Sequence, residues 1–200
     1  MIMARRVKEE PSIHRKRISE AAEKLFIKQG IDKTTVSQIA ELAGYSKATI
    51  YVYFENKEEI ISYLVLHSME LIKKQILSST DDTYTDEENF MGVCNSLLKY
   101  NKKYPMYFQF LQDTINVDFS TEKYYQSEED TYMIGEEINT YLIKLFDLKA
   151  DAFVILFTVW SSICGVIQMT SKKAKYIKKQ TGLSETDFIQ AEFRRLFKML

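Results

Sequence analysis

Two hundred residues, 46% of them hydrophobic, are ample for a packed chain, either one long helical domain or a small module fused to a larger one. Cys94 and Cys164 lie inside apolar helical patterns without metal or redox spacing, which excludes a disulfide framework and reads as two buried thiols. A formal net charge of −1 argues against a uniformly basic nucleic-acid binder, yet residues 1–57 hold 11 Lys plus Arg against 7 Asp plus Glu, and the remainder 16 against 21.

The chain opens on a basic arm, Arg5, Arg6 and Lys8, with no apolar core behind it, so it does not read as a signal peptide. Arg15, Lys16 and Arg17 continue the basic excess into the start of the first helix, where cations can meet phosphates; for the arm, a solvated tail is an equal reading. Ile18, Ala21, Ala22, Leu25 and Phe26 form an apolar stripe that closes at Gly30. Thr35 and Gln38 have capping-box spacing, so a second helix begins near Val36. Its apolar positions Val36, Ile39, Ala40 and Ala43 share one face, and Gly44 can take the positive φ that ends it. Tyr45 and Ser46 complete a tight turn. In the short segment from Lys47 to Phe54, Ile50 and Phe54 face inward while Lys47, Thr49, Tyr51 and Tyr53 lie on other faces, and small Ala40 and Ala48 allow close approach. This is the pattern of a helix-turn-helix whose second helix is presented outward, able to enter a major groove. Asn56 and Glu59 make a second capping box, starting a long helix striped by Ile61, Leu64, Val65, Met69, Ile72 and Ile76.

Beyond this module the chain reads as helices throughout. An acidic, turn-rich loop is expected from Ser79 to Glu88, then a helix carrying Phe90, Val93, Cys94, Leu97 and Leu98, which Pro105 interrupts to start another. The Tyr-rich acidic stretch from Ser120 to Asp130 is expected as a connection, followed by a helix with Ile134, Ile138, Tyr141, Leu142 and Leu145. Residues 152–169 are 18 uncharged positions before a basic run from Lys172 to Lys179. They admit a membrane span near the lower length limit, or a helix apolar on every side because one face meets its own subunit and the other a partner. Thr158, Ser161, Ser162, Gly165 and Gln168 dilute the apolar character and favour the buried helix. A last helix starts at Ser184, with Asp187 in the capping position and Ile189, Phe193, Leu196, Phe197 and Leu200 on one face.

The stripe I..AA..LF...G over Ile18 to Gly30, followed by TTVSQIAELAGYSKATIYVYFENKEEI, closely resembles the TetR family of bacterial transcriptional regulators. The resemblance implies an all-α fold: an N-terminal three-helix helix-turn-helix DNA-binding domain with its basic arm, residues 1–57, and a larger C-terminal helical effector-binding and dimerisation domain, residues 58–200. By position in the motif, Lys47, Tyr51, Tyr53 and Lys57 would contact phosphates and Thr35 would present its helix N-terminus to the backbone. Ala48 and Thr49 would face base edges, and Arg15, beside the first helix, is assigned to phosphate. Two residues depart from the pattern: Val52, where many relatives carry a polar or aromatic contact, and Tyr45, where a smaller apolar residue is usual.

The resemblance further implies a homodimer, a small molecule that tilts the long helix from Asn56 to Ser79, and repression as the usual outcome. A four-helix interface across a two-fold axis would be built from Phe153, Phe157, Trp160, Ile189, Phe193, Leu196 and Phe197. Tyr104, Tyr107, Phe108, Gln112, Trp160 and Gln168 are candidates to line an apolar, aromatic effector pocket, although aromatics at helical spacing are more often core. His14 and His67 stand apart from any Cys or carboxylate constellation, and no Walker loop or dinucleotide fingerprint is present, so neither an enzyme nor a metal or cofactor is expected. The resulting expectation is a cytoplasmic regulator binding a double-stranded DNA operator, answering to an unknown small-molecule effector and avoiding the membrane. The alternatives are a membrane-tethered DNA binder using residues 152–169, and a regulator controlled by a protein partner without a ligand.

Overall fold

The computed structural model describes residues 10–113 and 124–199. Arg5, Arg6 and Lys8 of the basic arm, residues 120–123 of the expected Tyr-rich connection, and Leu200 lie outside the described residues. Those described form α1 (Pro11–Gln29), α2 (Val36–Ala43), α3 (Lys47–Tyr53), α4 (Lys57–Ser78), α5 (Asp86–Lys103), α6 (Pro105–Asp113), α7 (Gln126–Leu145), α8 (Ala152–Thr181) and α9 (Glu185–Phe197).

Two compact units result. One comprises the described residues up to His67 together with those from Tyr124 to Asp130; the other comprises Ser68 to Asp113 and Thr131 onward. The sequence places a boundary at 57/58, whereas the division in the structure falls within α4 and again within α7.

In the first unit, α1, α2 and α3 pack on one another around Ile18, Ala22, Phe26, Ile39, Ala40, Ile50 and Phe54, all buried. Pro11 starts α1 where a missing N–H costs nothing. The Thr35 hydroxyl accepts from Gln38 N while the Gln38 amide oxygen accepts from Thr35 N at 2.9 Å, so both halves of the capping box form. Gly44 at φ +74° closes α2 in a Schellman motif: its N–H reaches Glu41 O and the Tyr45 N–H reaches Ala40 O. Ser46 then caps α3 by accepting from Thr49 N.

At the start of α4 only half of the expected capping box forms. Asn56 Oδ1 accepts from Glu59 N at 2.9 Å, but the Glu59 carboxylate takes the N–H of Glu55 rather than that of Asn56. The α4 stripe also turns slightly, burying Ile60 fully and leaving Ile61 half-buried. The first turn of α7 belongs to this unit: Ser127 Oγ lies 2.6 Å from Ser62 Oγ, and the Tyr125 hydroxyl meets the Asn56 side chain, accepting from Nδ2 at 2.7 Å. The helix therefore starts at Gln126, inside the stretch expected to be a connection to Asp130. Acidic Glu128 and Glu129 in its first turn complement the positive end of the helix dipole.

In the second unit, α5 packs on α6, α8 and α9, and α8 on α9. Its core holds Ile72, Ile76, Phe90, Leu97, Tyr100, Phe108, Ile167 and Phe193. A polar knot sits within it. Ser68 Oγ donates to Tyr107 O at 3.2 Å, and Tyr100, fully buried, donates from its hydroxyl to Ser68 O at 3.0 Å. Thr85 and Glu88 build a complete capping box at the start of α5. Helix α8 carries one non-helical residue, Lys173, where the apolar half gives way to the lysine-rich half.

Candidate nucleic-acid interface

The outward face of α3 follows from which residues its short sequence commits to the core. Ile50 and Phe54, both 1% exposed, fix the inward side, and Val52 and Tyr51, 75% and 48% exposed, are thereby turned out with Lys47 and Ala48. Lys47 Nζ stands 5.9 Å from the Tyr51 ring centroid, so the ammonium is steered beside the phenol. Thr49 is half-buried, with its hydroxyl 2.8 Å from Ser46 Oγ. Thr35 is exposed at the start of α2, its hydroxyl occupied by the capping box. Five of the eight sequence-derived DNA residues, Thr35, Lys47, Ala48, Thr49 and Tyr51, thus lie on or beside accessible ends of α2 and α3.

The other three are bound inward. Arg15 donates from Nη1 to Tyr53 O at 2.6 Å and pairs through Nη2 with Glu59 Oε1 at 2.9 Å, while its guanidinium carbon sits 4.2 Å from the Phe54 ring centroid. It ties α1 to the end of α3 and the start of α4, a structural task beside the phosphate contact expected of it. Lys57 donates from Nζ to Ile31 O at 3.1 Å and Thr34 O at 3.3 Å, satisfying carbonyls of the α1–α2 connection, so its ammonium too is committed within the unit. Tyr53 is half-buried and stacks on His14 at 4.8 Å between ring centroids.

A pocket of about 160 Å³ opens in the second unit, between α4, α6, α7 and α8. Met69, Leu111, Leu142, Leu156, Phe153, Phe157 and Trp160 give it an apolar wall, Gly135 leaves room in α7, and Asn139 supplies an amide. Of the six residues expected to line such a pocket, Trp160 alone does so. Tyr107 and Phe108 are 2% and 1% exposed core residues, Tyr104 is half-buried against Tyr100 and Tyr107, Gln112 donates to Phe108 O of its own helix, and half-buried Gln168 lies one turn or more beyond the lining. Among the described residues no group of three His, Cys, Asp or Glu is gathered as a metal site requires.

Residues 18–64, which hold α2, α3 and most of α1, match the family model for bacterial regulatory proteins of the tetR family. The chain is 48% identical over 96 residues to the HTH-type transcriptional regulator TtgR of Pseudomonas putida, covering 48% of this chain and 44% of TtgR. It is 28% identical over 153 residues to the uncharacterized HTH-type transcriptional regulator YhgD of Bacillus subtilis, covering 72% of this chain and 80% of YhgD. Residues 18–64 of the chain are thus those of a TetR-family N-terminal domain. The fold of the chain is shared, at 18% identity and a TM-score of 0.65 over 95% of this chain and 96% of the other, with the fatty acid degradation regulator FadR from Bacillus halodurans. PfmR from Thermus thermophilus, a TetR family transcriptional regulator, superposes with a TM-score of 0.62 at 18% identity, covering 91% of this chain and 97% of PfmR. TtgR and YhgD both carry the name of HTH-type transcriptional regulators. The match to TtgR spans less than half of TtgR's length.

The residues expected on α8 and α9 to face a second copy divide in the structure. Phe153 and Phe157 are 60% and 63% exposed, and Trp160, Leu196 and Phe197 are half-buried. Ile189 and Phe193, at 1% and 0% exposure, are buried in the unit's own core. Helix α8 is also long and apolar enough to cross a membrane by length and composition, with a mean hydropathy of 1.9 over its most apolar window. It packs on α5 and α9. The pocket residues on α4 and α7 had no distinctive signal in sequence; Gly135, a helix-interior glycine, is the one visible hint.

Proposed function

We propose that this TetR-family protein is a sequence-specific DNA-binding transcriptional regulator, a cytoplasmic homodimer that represses by occupying a palindromic operator until a small molecule releases it. The observation that carries the reading is the capped α3 with Lys47, Ala48, Tyr51 and Val52 turned outward from a buried Ile50–Phe54 anchor. Such a helix enters the major groove while Lys47 and Tyr51 hold phosphates on its margins and Ala48 and Thr49 face base edges.

Dimerisation is supported by Phe153, Val154 and Phe157, three exposed large apolar side chains within five residues of α8, which a second copy would cover. Two such copies present two α3 helices to half-sites about 34–36 Å apart. For the effector, the pocket wall of aliphatic and aromatic groups with the single amide of Asn139 fits an apolar or aromatic molecule with one polar group. Helices α4 and α7 both contribute to that wall and both run on from the first unit, so a ligand that moves either changes the DNA-reading state, and DNA and ligand oppose one another reciprocally.

Selection of bound duplexes from a random DNA pool by the purified protein tests the reading. Enrichment of one palindrome is expected; a folded protein that enriches no sequence overturns it.

A further inference from the structure

The outermost line of α3 is apolar. Ala48 and Val52 stand two residues either side of Ile50, and at about 100° per residue each is turned about 160° from that buried anchor. They lie one turn apart on the side of the helix farthest from the core, and both are exposed, Val52 at 75%. The polar residues of α3 keep to the flanks. Lys47 and Tyr51 share one flank, with Nζ 5.9 Å from the ring centroid, and Thr49, on the other, is half-buried with its hydroxyl 2.8 Å from Ser46 Oγ.

A valine at this point gains nothing from the fold. It buries little, and a β-branched side chain is a poorer helix former than alanine or lysine, a cost felt in a helix of seven residues. On an ordinary surface one exposed valine would need no explanation, but Val52 stands at the crest of the helix that enters the groove. There adenine presents N7 and N6, guanine N7 and O6, and cytosine N4, and the apolar feature is the C5-methyl group of thymine. Neither Ala48 nor Val52 has a side-chain donor or acceptor, so the crest cannot pair with the polar edges and tells bases apart through that methyl. Seven residues span about 10 Å, so α3 fits a groove about 12 Å wide, and Ala48 and Val52, about 6 Å apart along its axis, meet different base pairs.

We infer that Val52 is a specificity-determining residue that reads the C5-methyl group of a thymine in each operator half-site, with Ala48 against a neighbouring base pair. Lys47 and Tyr51 hold the helix in place from the flank, and Val52 selects the base. This contact rests on the DNA-binding reading and adds to it the class of base that the operator must supply.

The test uses the full chain and the duplex it enriches, with each thymidine of one half-site replaced in turn by deoxyuridine, a change that removes the methyl and keeps every hydrogen-bonding edge. The wild type is expected to lose about fourfold in affinity at the position facing Val52, the size of one buried methyl group. Val52→Ala shortens the side chain and raises helix propensity, so it keeps the fold. It is expected to bind the thymidine duplex about fourfold more weakly than the wild type and to be indifferent to deoxyuridine at that one position. Selection from a random pool by Val52→Ala should relax the preference for thymine there and keep the rest of the motif. A wild type indifferent to every replacement, or a Val52→Ala variant with the same loss as the wild type at every position, overturns the contact. A wild type that enriches no duplex overturns the DNA-binding reading itself, and this contact with it.

Discussion

Arg15 and Glu59 are paired at 2.9 Å across 44 residues of sequence, and the same guanidinium holds Tyr53 O at 2.6 Å. One side chain thereby joins the first helix to both ends of the α3–α4 junction. Arg15→Ala leaves Glu59, whose side chain is 13% exposed, without its cation and is expected to cost about 2 kcal/mol, less than a fully buried pair because Arg15 keeps some water contact. Arg15→Lys does not restore it, since an ammonium cannot serve Tyr53 O and Glu59 together from one plane. Urea unfolding of the three proteins checks this; equal midpoints would refute it.

Lys47→Ala and Tyr51→Phe act on a different quantity. Both side chains project from the exposed face of α3, so melting temperatures should stay within about a degree while operator affinity falls about three- to tenfold. Lys47→Ala should also lower the slope of log affinity against log salt by about 0.9, one phosphate's worth of released counterion. Titrations at several salt concentrations separate this from a loss of fold.

Two helix-interior glycines should respond oppositely to alanine. A Cβ on Gly92 would lie 2.2 Å from the backbone carbonyl oxygen of Ser79, an atom that cannot rotate away, so Gly92→Ala forces α5 off the end of α4 and should cost about 2–3 kcal/mol. A Cβ on Gly135 meets only Met69 Cε at 3.8 Å, ordinary contact, and Gly135→Ala should stabilise by about 0.5–1 kcal/mol through helix propensity. Gly135→Leu instead fills the pocket and should abolish any ligand-induced rise in melting temperature. Thermal scans with and without ligand read all three.

The thiols should be silent in the folded protein. Burial pushes Cys164 up to about 12 and Cys94 higher still, so neither forms a nucleophilic thiolate near neutral pH. Iodoacetamide should label neither natively and both in denaturant. The sign for stability follows: the unfolded thiols lose protons above about pH 8.5 while the folded ones keep them, so this contribution is complete below that pH and declines as alkalinity rises. Native labelling at neutral pH would contradict the burial.

What was legible in the sequence is what is local. Thr35 and Gln38, Gly44, and Ser46 act within four residues of themselves, so their spacing alone announces the caps and the turn. The internal bonds of Arg15 and Lys57 were not legible because their acceptors are backbone carbonyls and a carboxylate 23 to 44 residues away, which no local pattern encodes. The start of α7 escaped because Tyr125 offers no side-chain cap; Glu128 reaches back to its N–H instead. Tyr107 and Phe108 were candidates for a pocket wall and are buried in the core, since periodicity reports a buried face without saying whether space is left beside it.

The hydrogen bonds of Tyr125 to Asn56 and of Ser127 to Ser62 make the DNA-reading unit discontinuous in sequence. A gene segment ending at His67 would encode the outward helix but omit a strap that fills the side-chain valences of Asn56 and Ser62, leaving a buried serine hydroxyl without its partner. Grafting this reading head onto another sensor by a single crossover would sever it from its own support. Chimeras that keep function should need three junctions, one after His67 and one on either side of the strap that ends at Asp130, and this reading head should be inherited by its descendants as a two-piece component.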